Sequence, residues 1–148
     1  MNRRFPLDGL LRTRTLQEET AAARLATANG VHQAAVRRLD QGRQGLAELH
    51  FAPEPSRQVA DVSLRATWQL AVAARAAASA RLVDLALGAT EAGDAAREAT
   101  HGWELARRDK EAVERLHDRH LARVAADDLR EEQRALDEAA SRRSKGLS

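Results

Sequence analysis

The chain has no cysteine and no tyrosine, and its 148 residues include one methionine, two tryptophans and two phenylalanines. Without cysteine there are neither disulfides nor thiolate metal sites, and the redox compartment stays undecided. Aromatics at 3% are too few to fill the interior of an ordinary globule of this length. No apolar run approaches the ~20 residues of a membrane span, since Arg75 and Arg81 interrupt the best stretch, Gln69 to Leu87. Met1 to Asp8 lacks the apolar core of a signal peptide, so a soluble cytoplasmic protein is expected. Gly-x-Gly-x-x-Gly, a phosphate-cradling loop and Gly-x-Ser-x-Gly are all missing. The net charge is only +2, and acids are interleaved with arginines, so no continuous basic face argues for nucleic acid.

What is present is alanine, arginine, glutamate and leucine in helical periodicity, with 43% hydrophobic and 31% charged residues. That mixture marks long helices or coiled coil. A seam of alternating three- and four-residue steps runs from Leu64 to Val124 through Trp68, Leu82, Leu85, Ala89, Ala96, Trp103, Lys110, Val113, His117 and His120. A matching seam runs from Leu7 to Leu49 through Leu11, Arg14, Glu18, Leu25, His32, Leu39, Gly42 and Leu46. Such spacing keeps one stripe of a helix on a partner helix over many turns. Between the seams, Pro53 and Pro55 break the pattern.

The expected fold is all-α: a long antiparallel two-helix coiled-coil hairpin forming a single domain. Helix one spans about 7–50, the turn about 51–56, helix two about 57–141 and a disordered tail about 142–148. Ser56 is the expected N-cap of helix two. Folding back at Pro55 pairs Leu46 with Leu64, Gly42 with Trp68, Ala28 with Leu82, Leu25 with Leu85 and Leu7 with Trp103. Residues 104–141 then have no cover, although they carry Val113, Leu116, Val124, Leu129 and Leu136, so a partner protein is expected there. Gly88 to Asp94 is the expected hinge; a break there would give a three-helix bundle instead.

Catalysis by this chain alone is not expected, nor is any cofactor. His117 and His120 with Glu114 offer an incomplete zinc set beside Arg119 and Lys110, so solvated histidines are the simpler reading. Carboxylate pairs such as Asp127-Asp128 and Glu131-Glu132 have no pocket to shift their pKa values, and read as a solvated face. Trp68 and Trp103 are seam residues with core packing as the default and partner anchoring as the alternative. Leu46, Leu49, Phe51, Trp68 and Val72 form the most apolar cluster, near the turn, and mark a partner surface.

Two stretches carry a family likeness. The first is Phe5-x-Leu7-x-x-Leu10-Leu11-x-x-Arg14, followed by Glu18. The second is Lys110-x-x-x-Glu114-x-Leu116-x-x-Arg119, then Glu131-x-x-Arg134-x-Leu136-Asp137-Glu138-Ala139-x-x-Arg142. Together they resemble FliJ, the flagellar type III export protein. The resemblance implies a non-enzymatic coiled-coil stalk, cytoplasmic and peripheral at the inner-membrane export apparatus. It implies that Leu7, Leu11, Arg14, Leu116 and Leu136 face the ring of the hexameric flagellar export ATPase. Leu46, Leu49, Phe51, Trp68 and Val72 would face the cytoplasmic domain of the export-gate membrane protein, and export chaperones would be further partners. The alternatives are a self-associating coiled-coil scaffold and the equivalent stalk of a virulence-type secretion system. Small-angle scattering of the isolated chain tests the long-helix expectation: it predicts a maximum dimension well above ~100 Å, and a compact particle contradicts it.

Overall fold

The computed structural model describes residues 4–49 and 62–146, with side chains through residue 143. Two helices account for nearly all of it: α1 (Asp8–Glu48, 41 residues) and α2 (Val62–Gly146, 85 residues). No strand occurs among the described residues, and no helix is long and apolar enough to cross a membrane. The helices pack antiparallel as a two-helix hairpin, the second longer than the first. Helix two starts at Val62 and continues past Ser141 to Gly146, where a tail was expected from residue 142. The expected turn, its prolines, Phe51 and the Ser56 cap lie outside the described residues.

At its start, α1 gains a bond from Asp8 N–H to the Phe5 carbonyl, 3.2 Å, and one from Leu11 N–H to Leu7, 2.9 Å. Asp8 is an acid in the first turn, where the helix dipole favours it. The Arg12 guanidinium, bonded to Asp8, holds that carboxyl below its usual range. This contact works while Asp8 is ionised and is lost as pH falls through its lowered pKa.

The chain divides into two compact units, Met1–Ala21 with Trp103–Ser148, and Ala22–Gly102. In both, most of the predicted seam positions are withdrawn from solvent. On α1 they include Leu11, Arg14, Glu18, Leu25, Ala28, His32, Leu39, Gly42 and Leu46; on α2, every seam position from Ala78 to Val124. The buried apolar residues are Phe5, Ala89, Ala96 and Val113. α2 stays one helix through Gly88–Asp94, so the three-helix alternative does not arise. Gly93 is buried there, with the His32 imidazole 3.1 Å from where a Cβ would stand.

The seams hold from Leu11 to Leu46 and from Ala78 to Val124, while Leu7, Leu49, Leu64, Ala71 and Arg75 are exposed, and the register is not the expected one. Gly42 lies against Leu82 and Leu85 rather than Trp68, two heptads further along α2. Trp103 meets Glu18 rather than Leu7, and Arg75 donates to the Leu49 carbonyl at 3.3 Å. A shift of whole heptads leaves every apolar contact type intact, so the seam alone cannot choose between them. The polar seam residues do choose. In the expected register Glu18 and Arg14 would face Ala92 and Ala96 and lose their partners. The consequence is that α2 is covered through His120, not only to Trp103. Every residue from Leu129 to Arg143 is exposed.

Two glycines separate helix propensity from packing. A Cβ on Gly42 would fall 2.9 Å from one Leu82 methyl and 3.0 Å from one of Leu85, whereas Gly30 has nothing within 4 Å. Gly30→Ala should therefore stabilise by about 0.5–1 kcal/mol. Gly42→Ala adds an overpacking cost of about 1–3 kcal/mol to the same gain. Urea denaturation should place Gly42→Ala at least ~1 kcal/mol below Gly30→Ala; equal stabilities would contradict the packing described.

Candidate interaction surfaces

In the unit formed by Met1–Ala21 and Trp103–Ser148, a polar layer crosses the seam. The Trp103 Nε1–H donates to Glu18 Oε1 at 2.9 Å. Glu18 Oε2 lies 3.7 Å from Lys110 Nζ, which is 3.8 Å from Glu114. One turn earlier on α1, Arg14 pairs with Asp109 at 2.8 Å and donates to Gln17 at 2.9 Å. Arg107 stacks over the Trp103 ring, 5.5 Å from its centroid, and bonds Glu111 at 2.8 Å. Glu18 and Lys110 are largely shielded, so their attraction exceeds that of an open surface pair.

Phe5 closes this layer toward the N-terminus. Its ring meets His117 edge-on at 5.0 Å and His120 at 5.5 Å. The two imidazoles thus serve as packing surface for a phenylalanine. Among the described residues no cluster of His, Asp and Glu forms a metal-binding set.

The residues assigned to the ATPase ring fall into two groups. Leu11 and Arg14 are half-buried in the seam, and Arg14 is already engaged by Asp109. Leu7, Leu116 and Leu136 are open, at 38%, 43% and 66% exposure. Leu121 and Leu129, at 50% and 66%, belong with them on exposure alone. Sequence spacing had assigned Leu129 to a bare stripe, but not to the contact set.

In the unit Ala22–Gly102, the residues assigned to the gate are less open. Leu46, Trp68 and Val72 are half-buried, Leu49 is 38% exposed, and Phe51 lies outside the described residues. More accessible apolar side chains lie nearby in α2, notably Leu64 at 46% and Leu70 at 72%. Leu46 also lines a groove between the helices that runs over Gly42, Gly45, Leu82 and Leu85. That groove follows from the observed register and could not be read from the expected one.

Removing the Glu18 carboxylate should expose how much the polar layer holds. Glu18→Ala strands the Trp103 N–H and leaves the Lys110 ammonium with Glu114 alone, a loss of about 1–3 kcal/mol. Glu18→Gln keeps an acceptor for the indole and should cost less. Urea midpoints report both; an Ala variant as stable as the parent would show that the layer contributes nothing.

A comparison with protein families matches residues 3–146 to the model of the flagellar FliJ protein. Comparisons with curated proteins and with solved structures give no significant match. The family match covers both described helices and both stretches that carried the resemblance, so the chain belongs to the FliJ family of flagellar proteins.

Proposed function

We propose that this chain is a non-enzymatic stalk of the flagellar type III export apparatus, inserting into the export ATPase ring and coupling it to the export gate. Membership of the FliJ family supports a role in flagellar export, and favours the flagellar setting over a virulence-type system. The observation that carries the stalk reading is the exposed leucine stripe on one side of α2, Leu121, Leu129 and Leu136. A helix gains most of its stability from burying such a stripe, and this one has no cover from Leu129 to Arg143. A ring pore provides that cover.

In this reading Leu7, Leu116 and Leu136 touch the ring, while Leu11 and Arg14 hold α1 in place through the seam. Leu46, Leu49, Phe51, Trp68 and Val72 form the surface for the gate's cytoplasmic domain, and export chaperones without cargo dock on the same protein. The apparatus stands at the cytoplasmic face of the inner membrane, and the chain joins it peripherally.

The test is stimulation of the cognate export ATPase by the purified chain. Leu116→Asp and Leu136→Asp change exposed positions, so helix content should stay unchanged by circular dichroism. Each should weaken half-maximal stimulation by about tenfold, the effect of losing one anchoring contact. Failure of the parent chain to bind or stimulate the ATPase would overturn the reading.

A further inference from the structure

Within the unit Ala22–Gly102, α1 and α2 leave a groove of about 320 Å³. Its floor includes Gly42, Gly45, Leu82 and Leu85, and each helix contributes one arginine, Arg38 from α1 and Arg81 from α2. Neither arginine makes an ion pair with any described residue. The space above Gly45 is open, with nothing within 4 Å of a Cβ built there. Apolar floor, two cations without an ion pair among the described residues and missing side chains together describe a seat for a helix with an apolar stripe and acidic flanks.

The chain itself carries such a helix. Leu129 and Leu136 stand seven residues apart on α2, each 66% exposed, with Ala125 and Ala140 on the same stripe by helical spacing. Glu132 lies on one flank of that stripe and Asp137 on the other. Glu132 makes no ion pair with a described residue, and Asp137 accepts a hydrogen bond from the Gln133 amide at 3.1 Å. Cations from both walls thus match acids on both flanks.

We propose that the groove receives residues 125–140 of α2 from a second copy of this chain. Leu129 and Leu136 lie over the Gly42–Gly45 floor, and Glu132 and Asp137 meet Arg38 and Arg81. The groove and the inserted stripe are different surfaces, so a single contact leaves one groove and one stripe free on the pair. Reciprocal docking closes it as a dimer; open docking extends it, and both depend on concentration. Leu46 and Leu136 belong to the surfaces assigned above to gate and ring, so self-association would keep both covered until a partner displaces it. That last consequence rests on the proposed function; the association does not.

Sedimentation velocity of the full chain alone, from about 5 to 500 µM, is the test. The expected result is a concentration-dependent larger species that weakens as salt rises. Arg38→Glu with Arg81→Glu should raise the concentration needed at least ~tenfold, as should Glu132→Arg with Asp137→Arg. Mixing the two reversed proteins should restore association, because acidic groove then meets basic helix. Gly45→Leu should fill the groove and abolish association while helix content by circular dichroism is kept. A monomer at every concentration overturns the proposal. So does association that ignores the reversals, or that mixing fails to restore.

Discussion

Glu18 decides which turn of α1 faces which turn of α2 in its unit. One carboxylate oxygen takes the Trp103 indole proton and the other lies near Lys110. The apolar part of the surrounding seam is alanine and leucine, whose contacts recur one or two heptads away. Apolar contact therefore supplies adhesion, while a few polar groups supply position. A carboxylate facing an alanine methyl in a half-buried seam would forfeit its bonds, and that penalty separates otherwise equivalent registers. A single buried polar residue setting the register of a coiled coil is the best-attested use of such groups.

Register in turn decides what is left exposed. With Glu18 on Trp103, Phe5 reaches His117 and His120, and α2 is covered well beyond the point that a fold-back at Pro55 would allow. The leucines that remain in solvent, Leu129 and Leu136 above all, lie among Glu131, Glu132, Asp137 and Glu138. Their acids keep them soluble without burying them. In the unit Ala22–Gly102, the same register sets Gly42 against Leu82 and Leu85, and opens the groove over Gly45.

Much of this was legible in the sequence, and the reason is periodicity. The three- and four-residue steps identified the residues that face the partner helix from Leu11 to Leu46 and from Ala78 to Val124. They failed at Leu64, Ala71 and Arg75, which are exposed. The register was not legible from apolar spacing, because a period of seven is unchanged by shifts of seven. The missed signal was polar: Arg14 and Glu18 on one helix, Asp109 and Lys110 on the other, are complementary in charge and belong opposite one another. The groove was invisible for the same reason, since it depends on which side chains face Gly42 and Gly45. Helix two's expected end at residue 141 came from the apolar pattern fading, which a solvated helix does not need.

The central claim is the register, and the absence of cysteine makes it directly measurable. Paired cysteines at Gly42 and Leu82 should cross-link on mild oxidation or with a short bifunctional reagent. A pair at Gly42 and Trp68, about 21 Å away along α2, should not. Efficient cross-linking of the second pair, with none in the first, would place the helices of this unit two heptads from where Gly42 meets Leu82 and Leu85.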